Sequence, residues 1–291
     1  MDTKTQKGHQ LAGQMAVLAG ALLWSTSALF IKMLELHPVV IAGSRSFLAA
    51  IFLLVVRFIS PPPKSAKNKA FPFWASAICF ALMIHTFVYA NTITTAANAI
   101  LLQYSAPIWA ALLGWWLVKE KPHWEHWGAL FFVMAGLLLF FGGGLDSGAI
   151  LGNYISIVSG VLLGAYTVFL RMLKDGNPRD AMLAAHIICA ALSIPFVILH
   201  PPPLVASTVL PLLYMGFMQM GLSSLLFSYG IKRIPAIQAM LTSIVDPMFS
   251  PVWVFLILGE VPAIAALVGG FIIISAVIAS SIIGLRRAER Q

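Results

Sequence analysis

The stretch TAANAILLQYSAPIWAALLGWWLVKEKP, residues 95–122, returns 140 positions later as PAIQAMLTSIVDPMFSPVWVFLILGEVP, residues 235–262. At that offset Ala96, Ala99, Leu101, Pro107, Glu120 and Pro122 meet Ala236, Ala239, Leu241, Pro247, Glu260 and Pro262 without a gap. Leu and Ala matches between apolar segments arise easily by chance. A proline inside each segment and a Glu-x-Pro at each end do not, so these pairs carry the argument. Working outward, the same offset pairs Gly20, Leu22, Leu23, Phe87 and Tyr89 with Gly160, Leu162, Leu163, Phe227 and Tyr229. The chain is thus built from two related halves, expected over residues 1–145 and 146–291.

Each half is too apolar for water. Hydrophobic residues make up 60% of the chain and charged residues 10%, against about 45–50% and about 25% in soluble domains. A transmembrane helix takes about 20 apolar residues, and apolar runs bounded by Pro, Gly or charge predict ten spans in an all-α membrane protein. They fall near 11–32, 38–58, 71–91, 97–118, 125–141, 150–171, 180–199, 209–231, 236–258 and 263–285. Five spans per half is an odd number, so the second five-helix repeat enters the bilayer inverted. With the N-terminus in the cytoplasm, 16 of the 18 Lys and Arg residues fall on the inner side, leaving Lys32 and Arg45 near the outer ends of helices 1 and 2. That asymmetry follows the positive-inside rule and puts both termini in the cytoplasm of a multi-pass protein of the cell inner (plasma) membrane.

Inverted repeats are a plan of secondary transporters, because two similar halves of opposite sense exchange conformations around a midplane site. Other classes lack their signatures. The net charge of +8 is scattered between apolar runs and makes no nucleic-acid stripe. There is no phosphate loop and no Gly-x-Ser-x-Gly elbow, so neither ATP nor another cofactor is expected. An embedded enzyme needs converging catalytic groups and a channel needs rings of pore charge. Cys79 and Cys189 lie inside apolar runs without disulfide or zinc spacing. His123-Trp124-Glu125-His126-Trp127 departs from the His-Glu-x-x-His zinc pattern, and its tryptophans read as interface belt residues; no metal is expected. Lys4 and Lys7 before an apolar run resemble a signal peptide, but no cleavage site follows.

The candidate site gathers polar groups that hydrocarbon disfavours. Asp246 is the one acid in the middle of a predicted span, costly unless it serves a partner or pathway. Gln238, Thr242, Asp246 and Ser250 recur every four residues as one stripe on helix 9; the bland alternative is a protonated Asp246 bonding a neighbouring helix. His85 and Tyr89 share a face of helix 3, beside Gln103, Tyr104 and Trp109 of helix 4. Such a histidine is a candidate proton carrier, against the alternative of a single interhelical bond. Asn153, Ser156, Gly160 and Tyr166 share a stripe on helix 6, where Gly160 and Gly164 form a small-xxx-small packing pattern. Arg45 and Lys32 attract a carboxylate or merely snorkel. Pro107, Pro247 and Pro251 interrupt the helical ladder and are expected hinges. Trp24, His85, Tyr89, Tyr104, Trp109, Tyr166, Tyr229 and Asp246 are expected to line one central cavity between the halves, holding a small-molecule substrate. The expected assembly is a monomer or weak dimer in the lipid bilayer.

These segments resemble the EamA-type drug/metabolite transporter family over nearly the whole chain. The resemblance rests on Leu22-Leu23-Trp24-Ser25-Thr26 with Lys32, on Pro38 with Arg45, and on Ala97 to Pro107 with Gly114-Trp115-Trp116 and Glu120. It rests also on Tyr229, Ile234-Pro235-Ala236, Asp246-Pro247 and Leu258-Gly259-Glu260. The family usually has Gly where Ser25 stands and Glu where Asp246 stands. The resemblance implies a ten-helix transporter with cytoplasmic termini, often an exporter, without an ATP-binding part, and it strengthens Arg45 as a site residue. Its substrates range from amino acids to drugs and other metabolites. An amino acid or related zwitterionic or cationic compound, its ammonium at Asp246 and its apolar part on Trp and Tyr faces, is the expected cargo; drugs or other metabolites are the alternative.

Overall fold

The computed structural model describes residues 3–62, 69–94, 96–141, 150–258 and 264–288. Within them, the side chains of 3–7, 28, 32, 91, 92, 96–98, 140, 141, 251, 254, 258, 266 and 285–288 lie outside the description, so Lys32 and Pro251 have no described side chain, and Asp146 and Glu260 fall outside altogether.

Among the described residues there is no strand, and the helices group into ten. Helix α1 is Thr3–Ser25 continued by Ser27–Met33; α2 is Pro38–Ile59; α3 is Ala70–Ile93. Helix α4 comprises Ala96–Gln103, Ala106–Leu113 and a π-helical turn Gly114–Val118; α5 is Trp124–Phe141. In the second half α6 is Ile150–Arg171, α7 is Pro178–Leu199, and α8 joins Ala206–Tyr214, a π-helical stretch Met215–Leu222 and Ser223–Ile231. Helix α9 comprises Ala236–Ser243 and Val245–Leu258, and α10 is Ile264–Ala288. Among the described residues nine of these are long and apolar enough to cross a membrane, while the apolar part of α5, Trp124–Leu139, is shorter. Apart from α1, which starts at Thr3 rather than near residue 11, the spans match those predicted within a few residues. What differs is their continuity: α1, α4, α8 and α9 are each broken or widened mid-span.

The packing obeys the inverted repeat. Helix α3 packs on α6, and its counterpart α8 packs on α1; α4 packs on α6, and α9 on α1; α3 packs on α7, and α8 on α2. The pairs α2 with α7, α4 with α9 and α5 with α10 meet their own counterparts, as a twofold axis lying in the membrane plane requires. The equivalence reaches single residues: α2 and α7 both start at a proline, Pro38 and Pro178, where the missing N–H costs nothing. Lipid tails are as apolar as leucine, so helices associate here by close fit rather than by hydrophobic drive. At Gly160 a Cβ would lie 2.8 Å from the Gln103 carbonyl, and at Gly164 one would lie 2.8 Å from the Ala106 carbonyl. These two glycines let α6 lie directly on the α4 backbone.

Aromatic rings fill the space between the halves. Trp24 is 5.4 Å from Phe227, Phe227 is 6.2 Å from Tyr166, Tyr166 is 5.1 Å from Phe80, and Phe80 is 5.0 Å from His186, between ring centroids. The chain of rings links α1, α8, α6, α3 and α7. Its members lie in the largest buried apolar cluster or pack against it.

Candidate transport site

The site begins at two matching breaks. Pro107 and Pro247 cannot donate to the carbonyls four residues earlier, and α4 and α9 are interrupted at Tyr104–Ser105 and at Ile244 respectively. Tyr104 and Ile244 are 140 positions apart, so the interruption belongs to the repeat. Ser105 and Ile244 carry nearly the same dihedrals, φ −67 and ψ −10 against φ −65 and ψ −14. The two helices pack together, and across their breaks the Tyr104 hydroxyl donates to Asp246 Oδ2 at 3.0 Å. Asp246 opens the segment Val245–Leu258, where the positive end of the helix dipole favours a carboxylate.

Arg45 supplies the opposite charge from α2. Its side chain is 8% exposed, donates from Nη1 to Ser27 Oγ at 2.9 Å, and leaves Nε without a partner. Among the described residues it makes no ion pair, yet it lies within electrostatic reach of Asp246. A buried guanidinium normally has a carboxylate or phosphate in front of it. Ser27 is held ready by the break in α1 at Thr26, where the Ser25 and Thr26 hydroxyls turn back onto the Leu22 and Leu23 carbonyls at 2.7 Å each and compete with the helical ladder. The π-helical stretch of α8 brings Gln219 to the same place: its Nε2 donates to Thr26 Oγ1 at 3.1 Å, and its Oε1 lies 3.5 Å from Ser27 Oγ. Trp253 of α9 closes the group by donating to Ser25 Oγ at 2.7 Å.

The residues singled out in the sequence divide around this centre. Tyr104 and Asp246 meet in it, and Arg45 lies within electrostatic reach of Asp246. Trp24 and Tyr166 stand in the aromatic chain, Tyr166 fully buried. Trp109 is half-buried and donates to Ser105 Oγ at 3.3 Å, beside the α4 break. His85 joins α3 to α7, its ring nitrogens 2.7 Å from the Ala81 carbonyl and 3.2 Å from Ser193 Oγ. Gln103 is spent on packing, donating to Ser159 Oγ at 2.9 Å. Thr242 bonds its own helix at the Gln238 carbonyl, 2.8 Å away, and the Gln238 side chain approaches α10 at Gly284. Tyr89 and Tyr229 are not brought to the centre: they are 55% and 45% exposed, and the Arg233 guanidinium lies 3.3 Å from the Tyr229 ring centroid. That cation–π contact holds the ring at the end of α8. The backbone at Pro251 continues the second α9 segment.

Sequence reasoning passed over Ser27, His186, Gln219 and Trp253. Gln219 and His186 are fully buried; a lone polar residue within an apolar span was the available signal. His186 lies 2.9 Å from Ser224 Oγ and within electrostatic reach of Arg45.

At the end of the bundle rich in Lys and Arg, ionic contacts join the halves. Glu120 accepts from Arg171 Nε at 2.7 Å and from the Ala236 backbone N–H at 3.3 Å. Arg171 Nη1 also donates to the Ile231 carbonyl at 2.7 Å. One carboxylate thereby ties the end of α4 to the ends of α6 and α8 and the start of α9. Arg57 of α2 pairs with Asp180 of α7, and Arg179 donates to the Ser60 carbonyl at 2.7 Å.

An all-helical membrane fold of two inverted halves, with a carboxylate at the break of one paired helix and a buried guanidinium within electrostatic reach of it, defines a multi-pass membrane transporter. The profile of the EamA-like transporter family matches residues 11–142 and again 150–282, and the chain belongs to that family. It is similar to an uncharacterized transporter of Archaeoglobus fulgidus, 27% identical over 276 residues covering 88% of this chain and 92% of the relative. It is likewise similar to the uncharacterized transporter YwfM of Bacillus subtilis, 26% identical over 282 residues covering 89% and 92%. Human solute carrier family 35 member G1 is 28% identical over 193 residues, 59% of this chain and 50% of that protein. A solved structure described only as the crystal structure of a protein superposes with a TM-score of 0.80 at 20% identity, covering 96% of this chain and 99% of that one; that likeness concerns the fold.

Proposed function

We propose that the protein is a secondary transporter that exports amino acids or related zwitterionic or cationic compounds by alternating access. The observation that carries this is the pairing of Arg45 and Asp246, opposite charges from different halves that lie within electrostatic reach without forming an ion pair. A substrate carboxylate completes the guanidinium and a substrate ammonium the carboxylate, each by a charge-assisted bond, with Trp24 and Trp109 as the proposed partners of an apolar side chain. The halves act as units over residues 1–145 and 146–291, with Pro107 and Pro247 as their hinges. The basic end faces the cytoplasm of the inner membrane, both termini lie on that side, and the working unit is a monomer or weak dimer. His85, bridging α3 and α7, is the candidate for coupling a proton to the cycle.

The test is Asp246→Asn, which keeps size and hydrogen bonding and removes the charge. Uptake and counterflow of amino acids are measured in liposomes at matched protein content, after monodispersity is checked. Losing one charge-assisted bond of about 1.5–3 kcal/mol lowers transport roughly 10-fold to 150-fold. Wild-type flux by the Asn variant would reduce Asp246 to a structural partner of Tyr104 and turn the reading toward drugs or other metabolites.

A further inference from the structure

Between the α4–α5 link and the start of α9 lies a cleft of about 340 Å³ that the transport site does not use. Lys119, Glu120, Lys121, His123 and His126 of the first half line it together with Pro235 and Ile237 of the second. The carboxylate does not neutralise the cleft, because Arg171 and the Ala236 N–H already occupy its two oxygens. The ammonium groups of Lys119 and Lys121 therefore set the sign, with two imidazoles beside them as hydrogen-bonding groups. His126 takes the His123 backbone N–H on Nδ1 at 3.1 Å, so a neutral ring carries its proton on Nε2. Lys119 is the one described non-glycine residue with positive φ, at 63. That uncommon conformation ends α4 and sets Lys119 on the cleft wall.

The cleft's depth fits the same chemistry. Trp115, Trp116, Trp124 and Trp127, all exposed, flank it in sequence, and exposed tryptophans mark the headgroup level of a bilayer. A cationic pocket between helices at that level, with an apolar lining at Pro235 and Ile237, suits a phosphate group carrying a glycerol or acyl portion. We infer that the cleft formed by Lys119, Lys121, His123 and His126 against Pro235 and Ile237 binds a phosphate-bearing anion, the headgroup of an anionic membrane lipid or a soluble phosphate. Since its walls come from both halves, a bound phosphate bridges them at the basic end.

The full chain in detergent is titrated with phosphatidylglycerol, with phosphatidylcholine as reference, and bound lipid is counted by native mass spectrometry. One phosphatidylglycerol should bind in preference to phosphatidylcholine, and the double variant Lys119→Gln, Lys121→Gln should weaken it about 30-fold, at roughly a factor of five per lysine. The control Lys69→Gln, Lys174→Gln removes two basic-end lysines away from the cleft and should leave the affinity within about twofold. Inorganic phosphate and glycerol 3-phosphate are added as competitors: failure to displace the lipid assigns the site to lipid, and displacement at lower concentration than the lipid requires assigns it to a soluble phosphate. Unchanged binding by the cleft double variant, or equal weakening by the control, would overturn the inference.

Discussion

Replacing Glu120 by Gln tests whether the basic end is held shut by one carboxylate. In the wild type that carboxylate accepts two hydrogen bonds, from Arg171 Nε at 2.7 Å and from Ala236 N at 3.3 Å. The pair is sheltered, with side chains 10% and 19% exposed for Arg171 and Glu120, so it falls outside the weak range of fully solvated surface pairs, about 0–1 kcal/mol. Glutamine keeps one acceptor oxygen and loses the charge, a change that costs about 1.5–3 kcal/mol for a charge-assisted bond. If the contact exists only while the basic end is closed, that whole cost shifts the equilibrium toward opening, by roughly 10-fold to 150-fold. Ile237, buried behind the contact, reports on it: Cys79 and Cys189 are replaced by Ala, Ile237→Cys is introduced, and alkylation by a membrane-impermeant maleimide is timed. Glu120→Gln should accelerate labelling at least about tenfold in vesicles that expose the basic end, in a protein that remains monodisperse. An unchanged labelling rate, with Arg171→Gln equally silent, would show that the Glu120–Arg171 pair does not hold the halves together.

Two further outcomes are expected. Tyr104→Phe removes the 3.0 Å bond to Asp246 but no charge, so flux in liposomes should fall by less than in Asp246→Asn, about 3-fold to 10-fold for a bond of about 1 kcal/mol; a loss as great as that of Asp246→Asn would make Tyr104 the principal ligand. Gly164→Leu drives a side chain into the α4 backbone, where even a Cβ meets Ala106 O at 2.8 Å and Ala110 N at 3.0 Å, so thermal unfolding in detergent should show a loss of about 1–3 kcal/mol or more, whereas Gly128→Leu, which meets nothing within 4 Å, should show little.

The spans and the breaks in α4 and α9 were legible because their causes are local. Apolar length marks a bilayer crossing, and a proline removes a particular hydrogen bond, so Pro107 and Pro247 announced the interruptions at Tyr104 and Ile244 from sequence alone. Gly160 and Gly164 announced a close approach for the same reason. Orientation was less legible. In a soluble helix the polar face points to water, but here both faces are apolar and lipid replaces water, so nothing in the period of α3 or α8 tells that Tyr89 and Tyr229 are left exposed. Contacts between distant segments were also hidden: Glu120 and Arg171 are 51 residues apart, and each alone reads as an interface charge. Ser27 and Gln219 acquire their places only through a broken α1 and a π-helical α8, neither of which follows from composition.

The inverted repeat makes the scaffold nearly indifferent to which side of the membrane is which, since every helix has a counterpart pointing the other way. The charges break that indifference. At the offset of 140, Arg45 corresponds to Ala185 and Asp246 to Ala106, and both alanines are buried. Each half therefore contributes one of these two charges and one small residue, and neither of the two has a charged twin. The scaffold is symmetric while the electric field at its centre is not, so a dipolar molecule held there has a fixed heading relative to the bilayer. Moving each charge onto its alanine counterpart would leave the helices unchanged in outline and turn that heading over.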